Sequence, residues 1–207
     1  MGEDGAREWL RANFDVPRGT MGRLDAFAAL LREENGRQNL VSKGSLDHLW
    51  ERHIADSAQL LAWAPSSRST WIDLGSGAGF PGLIVAALHA GPVTLVEERR
   101  LRVEFLRRAA AVLDVDVEIV ARRVERVSAR PYDVISARAF APLPKLFELG
   151  SLFSTTKTRW ILPKGRNARS ELDAARASWQ GDFRIEPSLT DPDAGIIVAE
   201  GLTRKPG

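Results

Sequence analysis

The stretch Ile72-Asp73-Leu74-Gly75-Ser76-Gly77-Ala78-Gly79-Phe80-Pro81-Gly82 (IDLGSGAGFPG) places four glycines in eight positions directly after an apolar run. A strand-to-helix turn this bare lets backbone N–H groups and a helix N-terminus approach a ligand, and Pro81 suits a first helical turn. Four glycines exceed what a turn alone requires, so the stretch reads as a ligand-binding loop. Two patterns overlap on it. Gly77, Gly79 and Gly82 satisfy G-x-G-x-x-G, the dinucleotide fingerprint, whereas Asp73, Gly75, Gly77 and Gly79 satisfy D-x-G-x-G-x-G, the loop of S-adenosylmethionine (SAM) enzymes. A carboxylate at Asp73 would repel a pyrophosphate but attract a sulfonium and an ammonium group, which favours SAM. Glu97, about twenty residues on at the end of VTLVE, stands where an acid accepts both ribose hydroxyls of a bound nucleoside.

Working outward from the loop, short apolar runs alternate with amphipathic stretches. The pattern predicts strands at TWIDL, VTLVE, VEIVA, YDVISA and RWILPK, and helices over 81–89, 101–113 and 143–153. A further helix over 168–179 precedes two strand-like segments, FRIEPS and GIIVAEGL, joined by residues 190–194, a spacing that suits an antiparallel hairpin at a sheet edge. Such alternation predicts an α/β Rossmann-like fold with a mostly parallel sheet. Residues 1–65 carry helix signals only, with Thr20 and Ser45 as candidate caps, so the chain divides into a helical preface (1–65) and a main SAM-binding domain (66–207). Loose ends are expected at the first few residues and at RKPG.

With 207 residues, 44% of them apolar, the chain can bury a substantial core. Its apolar runs are too short to span a membrane and its start does not resemble a signal peptide, so a cytoplasmic protein is expected, and a monomer. There is no cysteine, which removes disulfides, thiolate zinc sites and a thiolate nucleophile together. No metal is expected, because His48 and His53 are five apart and would not share a helix face. The formal charge is only +2, yet Arg99, Arg100, Arg102, Arg107 and Arg108 cluster and Arg122, Arg123, Arg126 and Arg130 follow. Such clusters can bind phosphate, although on charge alone a solvated arginine-rich surface is the simpler reading.

The fourth strand ends in Ser136-Ala137-Arg138-Ala139-Phe140, at the carboxyl-end crevice where ligands of open sheets sit. The N/D-P-P-Y/F signature that grips an exocyclic amine is absent from this position, and pyrimidine C5 methylation needs a cysteine adding to C6. What remains is a nucleophile that already owns a lone pair, such as guanine N7, for which in-line placement at about 3 Å supplies most of the acceleration. After the third strand, Val124 and Glu125 stand where an adenine ring would be met.

Six segments, in this order, resemble the RsmG (GidB) family of small-subunit rRNA methyltransferases: QNLVS, ERHIADS, IDLGSGAGFPG, RVE (Arg123 to Glu125), VISARAFAPL and PKG (Pro163 to Gly165). The resemblance runs from about Leu24 to Glu200. It implies a Rossmann-like SAM fold and transfer of a methyl group to N7 of a guanine in the 16S rRNA loop that helps form the decoding centre, as free rRNA or in a small-subunit particle. It places SAM contacts on Gly75, Phe80, Val124, Glu125 and Arg138, with the loop glycines Gly77 and Gly79 around them; Glu97 stands where many relatives have Asp. Asn39, His53 and Asp56 fall in the preface motifs and read as polar links between preface and main domain. Arg138 and Lys164 are the candidates for handling substrate, Arg138 by orienting SAM carboxylate or guanine O6, Lys164 by pairing with RNA phosphate. Two other functions stay open: a nicotinamide oxidoreductase, and a catalytically idle rRNA-binding assembly factor.

Overall fold

A computed structural model describes residues 1–14, 16 and 19–206. Among these residues seven strands form one sheet in the order β3-β2-β1-β4-β5-β7-β6. β1 (Trp71–Leu74), β2 (Val93–Val96), β3 (Val117–Val120), β4 (Val134–Ser136) and β5 (Arg159–Lys164) run parallel, and β7 (Gly195–Arg204) pairs antiparallel with both β5 and β6 (Trp179–Pro187). Strand order reverses between β1 and β4, the switch point where ligands of such sheets bind.

Both faces of the sheet are covered, which is why its strands read as nearly continuous apolar runs. Alternation along a strand sends neighbours to opposite cores: Trp160 and Leu162 to one, Ile161 to the other. One core lies under α7 (Leu143–Gly150) and α8 (Ala168–Arg176). The other joins α5 (Gly82–Leu88) and α6 (Arg100–Leu113) to the preface helices α1 (Glu3–Asn13) and α2 (Thr20–Gln38). On α6, Val103, Leu106, Ala110 and Leu113 form the buried stripe expected of a helix lying on a sheet. The preface shares this core with the sheet, through Leu24, Phe27, Leu31, Trp50 and Ile54.

Several local expectations are corrected. The first residues are not loose: α1 buries Ala6 and Leu10, and Arg7 stacks 3.9 Å over the Trp50 ring. Thr20 does not cap α2; Gly19, at φ 89°, precedes it and Thr20 is buried. Ser45 lies inside a four-residue helix, α3 (Lys43–Leu46), and the chain then passes through a π-helical turn (Trp50–Ala55), α4 (Asp56–Ala58) and a 3₁₀ turn (Gln59–Trp63). Trp179 begins β6 and does not end the preceding helix, because its ring packs edge-on against Phe147 at 5.8 Å.

Candidate functional site

Two cavities open at the carboxyl ends of the strands and meet at Ala139. The first, of about 420 Å³, is lined by Gly75, Glu97, Arg99, Arg102, Val124, Glu125 and Phe140 among others, so it spans the ends of β1 to β4. The second, of about 410 Å³, lies between the preface and the ends of β4 and β5, with His53, Asp56, Arg138, Lys164 and Thr190 in its wall. Ala139, held at φ 50°, belongs to both. A larger depression of about 930 Å³ sits at the opposite, amino ends of β1 to β3, away from the glycine loop.

Of the residues expected around the cofactor, Gly75, Glu97, Val124 and Glu125 line the first cavity. The others, Asp73, Gly77, Gly79, Phe80 and Arg138, lie outside its wall. Asp73 is fully buried: its Oδ1 accepts from Ser136 Oγ at 2.8 Å, which in turn accepts from Trp71 Nε1 at 2.8 Å, and its Oδ2 accepts from the Gly82 N–H at 3.3 Å. The carboxylate thus ties β1 to β4 across the switch point and seats the start of α5. Burial pushes its pKa up to about 6 against the pull of those hydrogen bonds. Gly82 has no room for a side chain, since a Cβ there would come within 2.2 Å of Leu95. The loop N–H groups of Gly77 and Gly79 are turned inward, donating to Glu97 Oε2 at 3.1 Å and to the Ser76 carbonyl at 2.7 Å. Glu97 is itself the organiser of the loop, because its Oε1 also accepts from the Arg99 N–H at 2.9 Å. Phe80 lies against the preface, stacked on His53 with ring centroids 4.9 Å apart and edge-on to Phe27 at 5.5 Å.

In the second cavity Arg138 lies over the Phe80 ring at 5.0 Å, faces Asp56 at 3.7 Å and donates weakly to the Arg52 carbonyl at 3.4 Å. Asp56 Oδ1 accepts from Thr190 Oγ1 at 2.8 Å and Gln59 Nε2 at 2.9 Å, which joins the preface to the β6–β7 connection. Asn39 does something else: it ends α2 in the left-handed conformation at φ 52°, a position asparagine tolerates. Lys164 is not an open surface cation. Its ammonium is held 2.8 Å from Glu171 and 3.4 Å from the Ala141 carbonyl, tying the segment after β4 to α8. Two arginines of the clusters that could bind phosphate are likewise paired, Arg108 with Glu34 at 2.6 Å and Arg123 with Glu98 at 2.7 Å. Thr190 and Asp191 carried no motif; Asp191 reaches the site through its 2.9 Å pair with Arg52.

His53 is buried and its Nε2 lies 2.9 Å from Ser45 Oγ. The serine hydroxyl has the Ser42 carbonyl as its acceptor at 2.9 Å, which assigns the ring proton to Nε2, and among the described residues Nδ1 has no partner. Burial, reinforced by Arg138 and Arg52, lowers the His53 pKa to about 3. Between pH 6.5 and 3 the unfolded chain therefore binds a proton that the folded chain refuses, and stability falls with acidification by about 1.4 kcal/mol per pH unit. Asp73 acts oppositely, since the folded chain takes up a proton near pH 6 that the unfolded chain takes up only near 4. The His53→Gln protein, compared with wild type by urea unfolding at pH 7 and pH 5, should gain about 2 kcal/mol in relative stability over that interval. Parallel stability curves would show that His53 is not held neutral.

The family described as "GidB: rRNA small subunit methyltransferase G" matches residues 21–191. The chain is 49% identical over 205 residues to the ribosomal RNA small subunit methyltransferase G of Zymomonas mobilis, covering 95% of this chain and 93% of that protein. It is 50% identical over 204 residues to that of Erythrobacter litoralis, covering 98% of each. Among solved structures, a mutant of MtNAS in complex with S-adenosylmethionine aligns with a TM-score of 0.61 at 16% identity, over 97% of this chain and 84% of that one. The ribosomal protein L11 methylase of Lactobacillus delbrueckii subsp. bulgaricus aligns with a TM-score of 0.59 at 18% identity, over 75% and 79%. The fold is thus shared with these solved structures, and match to the family over most of its length, with relatives about 50% identical end to end, shows that this chain belongs to the GidB family of rRNA small subunit methyltransferase G proteins.

Proposed function

We propose that the protein transfers a methyl group from SAM to N7 of a guanine in the decoding-centre loop of 16S rRNA. The observation that carries this is the pair of cavities meeting at Ala139, one backed by Glu97, the other by Arg138 and Asp56. The first suits a nucleoside: Glu97 stands at the ribose position, Val124 and Glu125 at the base, and a Cβ on Gly75 would fill the space beside Phe140. When bound, SAM supplies an electrophilic methyl on a sulfonium. N7 brings its own lone pair, so the protein has no proton to remove and its task is alignment. Transfer would carry the positive charge from the donor to the base, and the carboxylates nearest the two cavities are Asp56, in the wall of the second, and the fully buried Asp73 beneath the loop. The nicotinamide reading fits less well, because Asp73 stands beneath the loop that would meet a pyrophosphate.

Mapping N7-methylguanine in 16S rRNA from a strain lacking this gene tests the reading directly: one such guanine should become unmodified and regain its methyl group on complementation. Label transferred from radioactive SAM to that rRNA separates an enzyme from an idle binder. Thermal protection by SAM and not NAD excludes the oxidoreductase.

Glu97 carries a second expected result. Its two oxygens already hold the Gly77 and Arg99 N–H groups, and glutamine can keep only one of them. Glu97→Gln should therefore weaken SAM about tenfold, and Glu97→Ala further, by about 2 to 3 kcal/mol in all. Calorimetry that finds undiminished affinity in the alanine variant removes Glu97 from the cofactor site.

For RNA phosphate the open cations matter. Among the described residues, Lys43 and Arg166, both exposed beside the second cavity, have no acidic partner within 4 Å. Arg166→Gln and Lys43→Gln should each lower the slope of log affinity against log salt by roughly 0.7 to 0.9, whereas Arg108→Gln should leave it unchanged. A changed slope only in the Arg108 variant would place the RNA on the α2–α6 side.

A further inference from the structure

The second cavity carries surplus hydrogen-bonding capacity of two kinds, side by side. A carboxylate offers about four acceptor sites and a guanidinium five donors. Asp56 Oδ1 is filled by Thr190 and Gln59, but among the described residues Oδ2 has only the Arg138 guanidinium at 3.7 Å, beyond hydrogen-bond length. Arg138 is equally underused, its one hydrogen bond among the described residues being the 3.4 Å contact to the Arg52 carbonyl. Both groups line the cavity and are largely withdrawn from water, with side-chain exposures of 19% and 21%. Polar groups so placed are normally satisfied by a partner, and water alone is a poor one for a desolvated pair. Packing fixes their geometry, Arg138 against the Phe80 ring and Asp56 between Thr190 and Gln59.

We infer that Asp56 and Arg138 together read the target base as guanine, Arg138 donating to O6 and Asp56 Oδ2 accepting from N1–H and the 2-amino group. This rests on the functional reading above and deepens it. A free donor beside a free acceptor complements guanine, which presents an acceptor next to two donors along this edge. Adenine presents a donor next to an acceptor, and cytosine does too, so each would set donor against donor and acceptor against acceptor. Uracil shares the O4 and N3–H order but has no N7 to methylate. In this pose the O6 side of the base would meet Arg138, next to Ala139 where the two cavities join, and the N1 and 2-amino edge would meet Asp56.

Asp56→Asn tests this. Thr190 and Gln59 both donate to Oδ1 and will orient the amide oxygen toward themselves, which turns the NH2 group toward the base and opposes donor to donor. The test is single-turnover methylation of 16S rRNA, prepared by ligation with either guanine or inosine at the modified position. Inosine lacks the 2-amino group, and wild type should methylate it roughly tenfold more slowly than guanine. Asp56→Asn should slow guanine roughly 10- to 100-fold and abolish the preference over inosine, with SAM affinity unchanged by calorimetry. Asp56→Glu, which keeps the charge against Arg138 and displaces the oxygens by one methylene, should also lose the preference, and serves if the asparagine variant folds poorly. A guanine-to-inosine ratio that stays at the wild-type value in both variants overturns this inference alone. If wild type transfers no methyl to guanine N7, the functional reading falls and this inference with it.

Discussion

Arg138→Met is expected to lose methylation by roughly a thousandfold and to lower stability by about 2 to 3 kcal/mol at pH 7. The stability figure sits below the 3 to 5 kcal/mol of a fully buried broken pair because the Arg138 side chain is one-fifth exposed. What it leaves behind is the reason for the cost: Asp56 faces the guanidinium directly and Asp73 feels its charge, and burial already raises the pKa of both carboxylates. Without the cation they rise further, so the deficit should shrink on acidification as the carboxylates take up protons. Arg138→Lys separates charge from shape. It keeps a cation for the two acids but loses the planar fork and the stacking on Phe80. This variant should fold nearly as well as wild type and still lose roughly 10- to 100-fold in single-turnover rate. A lysine variant with the wild-type rate would show that Arg138 acts through charge alone.

The strands were legible because both faces of the sheet are buried, and apolar runs bounded by turn residues identify such strands without reference to partners. β5 matches its expected span, residues 159–164, and the edge hairpin follows from the short connection before β7. Legibility failed where tertiary contacts override local pattern. Only two residues of α1 are buried, and its place is fixed by Trp50, a residue 40 or more positions away. The run after Ser45 reads as one helix by periodicity, yet it breaks into short turns in the region that sets His53 on Phe80 and Asp56 on Arg138. The site divides the same way. Gly75, Glu97 and Glu125 follow strands of a parallel sheet and topology alone puts them together. Thr190 and Asp191 reach the second cavity only because β7 inserts between β5 and β6, which nothing in their own sequence announces. Lys164 shows the converse: position at a strand end predicts an open cation, and Glu171, seven residues on, removes it.

Substitution of the loop glycines should rank them by geometry and not by motif. Gly75 has φ 71° and an added Cβ would stand 2.2 Å from Phe140 Cδ2, so Gly75→Ala meets both a left-handed backbone, worth about 1 to 2 kcal/mol, and an aromatic ring. Gly77 has φ 54° but space in front of it, the nearest atoms being Arg102 Nη1 at 3.6 Å and the Gly75 carbonyl at 3.7 Å. Gly77→Val is still expected to abolish SAM binding, because a β-branched residue is strained at positive φ and would pull the Gly77 N–H away from Glu97. Gly77→Ala should bind SAM weakly, and Gly75→Ala more weakly than Gly77→Ala. The steric share can be isolated. Removing the ring in a Gly75→Ala, Phe140→Ala double variant relieves the clash and leaves only the backbone cost, so the double should bind SAM better than Gly75→Ala alone. Simple additivity of the two single losses, measured by calorimetry, would mean that the ring is not what Gly75 makes room for. Binding at wild-type affinity by a folded Gly77→Val protein would remove the loop from the cofactor site altogether, since no other reading of four glycines at the switch point predicts tolerance of a branched side chain there.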